Sequence, residues 1–214
     1  MKKNNLLNSR RYKILNLSRD IISKYGWNDL TFNKISKEKK INISEINLLF
    51  PNGFKDMIKY SLNCLNYDLE KKINKIDIQN IPLHKKIKKI VLTKIEIMNN
   101  HKNFYKKTFY YLMIPTNYKL LTSQLYISID LMWRLADDTS TDFNFYTKRI
   151  ILSGVYSSVI ISFLKKDNMI EIENILDNRL SKVSKIPILK NKYKNFITNF
   201  KKISKLINIS PLKQ

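Results

Sequence analysis

Two histidines, one cysteine and a group of three aspartates are the first residues of this 214-residue chain to test for chemistry. His84 and His101 both sit beside lysines in polar stretches, and neither has ligand spacing to Cys64 or to an acid. Asp137, Asp138 and Asp142, in "ADDTSTDFNFYTKR", carry the hard oxygens that could hold a cation. The competing account is helix capping, in which Thr141 or Asp142 accepts the free amide groups at the start of the next helix. No glycine-rich phosphate loop exists, and nothing assembles a nucleophile with a base. The residues point away from an enzyme: no catalytic group, no metal and no cofactor of the chain's own are expected.

Recognition is the better-supported chemistry. Phe143, Phe145 and Tyr146 crowd one helical turn, so they cannot all face one core. Met132 and Trp133 close the preceding helix and lie just across a short joint. Aromatic side chains left at a surface are typical anchors for a partner, while the alternative is that they cover the joint between two helices. Farther on, Ser153, Gly154, Ser157 and Ser158 place small side chains in mid-helix, where they allow either close helix packing or room for a greasy ligand.

The elements that must position these residues are helical. Three glycines and five prolines are too few for the turns of an all-β fold. Ile14, Leu17, Ile21, Ile22 and Tyr25 make a stripe that stops at Gly26, and Thr31 to Lys39 reads as a short helix. Asn42 breaks, Ser44 caps, and a second short helix runs to Phe50 before the turn at 51–53. A longer helix buries Phe54, Met57, Ile58, Leu62, Leu65, Leu69 and Ile73. Long, short, short, long is the plan of a helix-turn-helix unit attached to a helical body. The expected organisation is a helix-turn-helix-like unit over 1–78, a helical bundle over 79–185 and a basic tail over 186–214.

The formal charge of +23 suggests an acidic partner, either nucleic acid or an anionic membrane. The excess is almost all lysine, whereas arginine is the residue that fits phosphates bidentately. The helix that would read DNA, "SEINLLF", has an acid, an amide and no basic residue, so nucleic acid is not expected. A lone cysteine excludes a disulfide framework, and the first residues lack the apolar run of a signal peptide. The longest uncharged run, 150–164, is interrupted by serines and a glycine and is shorter than the about 20 residues a spanning helix needs. It reads as a buried core helix. In the tail, Leu189, Tyr193, Phe196, Ile197, Phe200, Ile203 and Ile207 recur at helical spacing opposite Lys190, Lys192, Lys194, Lys201, Lys202 and Lys205. That pattern fits a helix lying in a membrane interface, or one docking on the body.

The block "PTNYKLLTSQLYISIDLMWRLADDTSTDFNFYTKRIILSGVYSS" resembles the signature region of the coenzyme Q (ubiquinone) biosynthesis accessory family, the ninth of the Coq proteins. The matching residues are Met132-Trp133, Ala136-Asp137-Asp138 and Ser140 to Arg149, with "LLFPNGFKDMI" at 48–58 similar to the family's Leu-Phe-Pro turn. The resemblance spans roughly residues 10–185. It implies an all-α fold similar to TetR-type repressors: an N-terminal helix-turn-helix-like unit, a lipid-binding C-terminal bundle and a C-terminal amphipathic helix.

The same resemblance implies an accessory protein that binds lipid and presents a membrane-embedded precursor to the demethoxyubiquinone hydroxylase. Met132, Trp133, Asp142, Phe145 and Tyr146 would form the partner patch. Ser153, Gly154 and Ser157 would border a pocket holding an isoprenoid quinone or a phospholipid. Tyr193, Phe196, Ile197, Phe200, Ile203 and Ile207, with Lys201 and Lys202, would touch the membrane. Two residues depart from the family pattern: Phe145 replaces a tryptophan, and Asp137 replaces the glycine after Ala136. Eukaryotic members of that family are mitochondrial, but the first residues lack an Arg-rich transit segment. The expected setting is therefore cytoplasmic, peripheral on a bacterial inner membrane, or the mitochondrial matrix face if the source is eukaryotic, with a homodimer only by analogy to TetR-type proteins. The competing expectation is a TetR-like DNA-binding regulator with a small apolar effector.

Overall fold

The computed structural model describes residues 2–140 and 142–184. Within them the chain is all-α, with no strand among the described residues. The helices are α1 (Lys2–Tyr25), α2 (Thr31–Lys39), α3 (Ile43–Leu49), α4 (Phe54–Ile73), α5 (Leu83–Asn99), α6 (Lys102–Leu112), α7 (Tyr118–Leu135), α8 (Asp142–Lys165) and α9 (Met169–Ser184). A 3-10 turn, Pro115–Asn117, leads into α7. The tail residues 189–207, and with them every expected membrane contact, lie outside the described residues.

Two compact units emerge. The first holds the described residues up to 71 together with 96–121, and the second holds 72–95 together with those from 122 on. Residues 96–121 therefore join the N-terminal unit, not the bundle to which the reading along the chain assigned them. The cause is aromatic packing: Trp27 meets Phe104 with ring centroids 5.9 Å apart, and Phe54 meets Tyr111 at 5.4 Å. The Trp27 Nε1–H also donates to Thr108 Oγ1 at 3.1 Å, which seats α6 on the first unit.

In that unit α1 stops where Gly26, at φ +76°, donates its N–H to the Ile22 carbonyl, a backbone conformation that side chains resist. The buried face of α1 is Ile14, Leu15, Ser18, Ile21 and Ile22. Leu17 and Tyr25, expected on that stripe, are more than a third exposed; Tyr25 instead lies under the Lys34 ammonium, 3.7 Å from its ring centroid. Asn42, not Ser44, caps α3: its Oδ1 accepts the Ser44 N–H at 2.8 Å. The expected face of α4 is buried from Met57 to Ile73.

In the second unit Ile87, Ile90, Val91 and Ile95 of α5 are buried, as are Ile129 and Met132 of α7, Val155, Val159 and Phe163 of α8, and Ile172 and Leu176 of α9. The helix α8 carries apolar residues on all sides. With its N-terminal turns included, Asn144–Lys165 is long and apolar enough to cross a membrane by length and composition, which the shorter run 150–164 did not suggest. Its packing is that of a core helix: 56% of the apolar window is buried within the protein, and Arg149 is paired with acids inside it.

Candidate functional site

The turn from α7 to α8 is built on charge. Arg149, almost wholly buried, donates from Nε and Nη2 to Asp130 Oδ1 at 3.0 and 2.7 Å. Its Nη1 lies 3.8 Å from Asp138 Oδ2 and donates to the Phe145 carbonyl at 3.3 Å. Asp138 accepts Lys148 Nζ at 2.6 Å and the Ser140 hydroxyl at 2.6 Å. Burial opposes ionisation of Asp138, but the hydrogen bonds from Lys148 and Ser140 outweigh it and hold the carboxyl below its usual range. Arg134 adds a contact to Asp130 Oδ2 at 3.2 Å, so two carboxylates are shared among three cations. Removing either carboxylate would leave the buried Arg149 guanidinium short of a partner in a dry place.

The turn closes in the manner of a helix C-cap. Asp138 N–H reaches back to the Trp133 carbonyl at 3.1 Å, and Asp137 takes the left-handed conformation, φ +60°. The departure from glycine at Asp137 therefore leaves the turn geometry standing. Lys86 of α5 donates to Asp137 Oδ2 at 3.0 Å, which gives the aspartate a reason to be there.

On this frame stand the aromatic residues. The Arg149 guanidinium lies on the Phe145 ring, 3.3 Å from Cζ to the centroid, and Phe145 meets Tyr146 edge to face at 5.2 Å. Both rings are half-buried, and Asn144 beside them is exposed. Tyr126 is also half-buried; burial first, then the Asp130 charge, pushes its phenol up. The result is a partly open aromatic shelf on a buried ionic base.

The expected site residues divide accordingly. Phe145 and Tyr146 come together at the shelf. Trp133 is buried beneath Lys148, whose Nζ stands 5.5 Å from its ring, and the indole N–H finds no partner among the described residues. Met132 is fully enclosed, so its side chain serves the core and not the exposed patch for which it was expected. Asp142 opens α8, and its side chain, like those of Thr141 and Phe143, lies outside the described residues. Of the expected pocket border, Gly154 is exposed with open space where a Cβ would stand, and the Ser153 hydroxyl donates back to the Arg149 carbonyl. Ser157 is half-buried, and none of the three lines a cavity described here. Small residues at helical spacing mark a face without saying whether it points inward.

The residues that sequence reasoning missed are the ionic ones. Asp130, Asp138, Lys148 and Arg149 carry the shelf, and the available signal was a basic pair at 148–149 following an acidic pair at 137–138 across the joint. A buried polar group was missed as well: Lys94 of α5 is wholly enclosed, donates from Nζ to Ser128 Oγ at 2.8 Å and stands 5.5 Å from the Tyr156 ring centroid. Burial pulls its ammonium down to about 7. Among the described residues no three of His, Cys, Asp and Glu are grouped to hold a metal.

In the first unit the helix that would read DNA presents other chemistry. Glu45 of α3 is held by Arg10 Nε at 2.6 Å, Arg11 Nε donates to the Leu49 carbonyl at 2.8 Å, and Leu48 is 76% exposed. The helix offers an occupied carboxylate, an amide and a leucine where phosphates or base edges would lie.

A family model named COQ9 matches residues 118–187, which span α7, the shelf, α8 and α9. The protein called "Ubiquinone biosynthesis protein COQ9, mitochondrial" from Rattus norvegicus is 22% identical over 180 residues, covering 80% of this chain and 57% of the relative. Its namesake from Bos taurus is also 22% identical over 180 residues, covering 80% and 56%. The Xenopus laevis protein COQ9-B reaches 38% identity over 71 residues, covering 32% of this chain and 22% of the relative. This chain spans little more than half the length of the rat and cattle relatives.

Proposed function

We propose, from the match of residues 118–187 to the COQ9 family model, that the protein is a member of that family and an accessory factor of ubiquinone biosynthesis. It binds a lipid, an isoprenoid quinone or a phospholipid, and presents a membrane-embedded precursor to the demethoxyubiquinone hydroxylase without itself catalysing a reaction. The observation that carries this reading is the Phe145–Tyr146 shelf, half-open and braced by Arg149, inside the very segment the family model matches. Large rings held in one conformation lose little freedom on binding, which is why such groups dominate interfaces. The curated relatives carry ubiquinone biosynthesis and mitochondria in their names. The protein accordingly works at a membrane face, of mitochondria or of a bacterial cell. A ubiquinone precursor is nearly insoluble in water, so an enzyme outside the bilayer gains from a factor that lifts the head group to it. The basic, aromatic tail pattern at 189–207 supplies the membrane contact.

The test is to purify the full chain, extract it with organic solvent and identify the co-purifying lipid by mass spectrometry. An isoprenoid quinone or phospholipid near one per chain is the expected result. A lipid-free protein that retains duplex DNA would overturn the reading in favour of a TetR-like regulator. The membrane part has its own check: Phe196→Asp with Phe200→Asp weakens vesicle binding, and unchanged binding would remove the tail from the account.

A further inference from the structure

A second feature of the bundle is used by neither the shelf nor the tail. Where α8 ends and α9 runs past it, a groove of about 290 Å³ opens. Its apolar part is Ile161 and Ile175, and its cations are Lys165, Lys166, Arg179 and Lys182, with no acid among the lining residues. Lys166 is paired with Glu171; Lys165, Arg179 and Lys182 have no carboxylate partner among the described residues.

The telling residue is Ser162. A serine inside a helix ordinarily returns its hydroxyl to the carbonyl four residues earlier. Ser153 does so to Arg149 and Ser158 to Gly154 on the same helix. Ser162 lines the groove, is 6% exposed, and its Oγ has no partner among the described residues. A buried hydroxyl left unpaired under a ring of cations, beside exposed isoleucine, is matched by a ligand that brings acceptor oxygens, negative charge and an apolar stem together.

We propose that the α8–α9 groove is a phosphate-recognition site for an anionic amphiphile. Arg179, Lys182 and Lys165 take the phosphate, Ser162 Oγ donates to one of its oxygens, and Ile161 with Ile175 carry the first methylenes. The site does not depend on the hydroxylase, on the shelf or on the tail, and it would hold a lipid headgroup at a stated place on the bundle.

The experiment uses the full chain and vesicles of phosphatidylcholine with and without phosphatidylglycerol, beside a titration with glycerol 1-phosphate in solution. The variants are Arg179→Gln with Lys182→Gln, Ser162→Ala, and a charge-matched control, Lys37→Gln with Lys40→Gln in the first unit. The groove pair is expected to weaken binding to the anionic vesicles about 25-fold, from roughly fivefold per charge. Ser162→Ala is expected to cost about tenfold, the yield of a hydrogen bond to a charged group, and the control to change little. Arg179→Lys should restore most of the loss, and an unchanged thermal unfolding profile shows that each variant is folded. Equal losses in the control, or none in Ser162→Ala, would overturn the proposal by making the attraction diffuse charge. The same variant pattern with glycerol phosphate and none with vesicles would overturn the lipid source and assign the groove to a soluble phosphate ester. Vesicle binding lost on tail substitution yet insensitive to every groove variant would overturn this site while leaving the proposed function standing.

Discussion

Lys86 Nζ stands 3.0 Å from Asp137 Oδ2, and Asp137 is the residue of the α7–α8 turn whose backbone is left-handed. A position that favours glycine by conformation is thus held by an ion pair to α5. Asp137→Gly relieves the strain and loses the pair, two small terms of opposite sign, so unfolding free energy should move by less than about 1 kcal/mol. Asp137→Val, branched at Cβ and unable to pair, should cost about 2 kcal/mol or more. Urea denaturation of the two variants checks the contrast.

The ionic base beneath the shelf predicts a larger effect. Arg149→Met leaves Asp130 with Arg134 alone and Asp138 with Lys148 alone in a largely buried setting, and should destabilise the protein by about 3 kcal/mol. Arg149→Lys should recover only part of that, because an ammonium cannot donate twice to Asp130 while lying on the Phe145 ring. Full recovery in equilibrium unfolding would mean that charge alone matters here.

The shelf itself should separate binding from stability. Phe145→Ala and Tyr146→Ala remove half-buried rings, and under the proposed function they should weaken binding to the demethoxyubiquinone hydroxylase by about 2 kcal/mol each, close to thirtyfold. Titration calorimetry against the purified hydroxylase reads the loss. Phe145→Trp installs the tryptophan of the pattern that this segment resembles and should bind at least as well. Near-native binding by both alanine variants would place the partner elsewhere.

Lys94 predicts a pH dependence with a definite sign. Its folded value, about 7, lies below the ordinary 10.5 for lysine. Between the two the unfolded chain holds a proton that the folded chain does not, so stability rises with pH from about 7 towards about 10.5. At and below neutrality the full cost of the buried ammonium is present. Lys94→Met should therefore stabilise the protein by about 2 kcal/mol or more near pH 7. That gain should shrink as the pH rises, and the steep alkaline increase seen by urea denaturation in the parent should flatten. A parent profile that is already flat would show that the ammonium is well solvated.

The sequence by itself determined the helices, the stop of α1 at Gly26 and the grouping of aromatic residues beside a basic pair. These are local properties: apolar residues at helical spacing, Gly26 at the end of α1, and an aromatic trio beside a basic pair report on neighbours in the chain. Even there, the period defined a stripe more tightly than the direction it faced, since α1 buries Leu15 and Ser18 and exposes Leu17. The tertiary structure decided which way each face points. It alone turned Gly154 outward, enclosed Met132, brought Lys86 to Asp137 across 51 positions and moved residues 96–121 into the first unit. The physical reason is that burial and ion pairing depend on what lies across the gap, and the partner across the gap is distant in sequence. Arg149 looks in the chain like half of a basic pair; only beside Asp130 and Asp138 does it become the post on which the aromatic shelf stands.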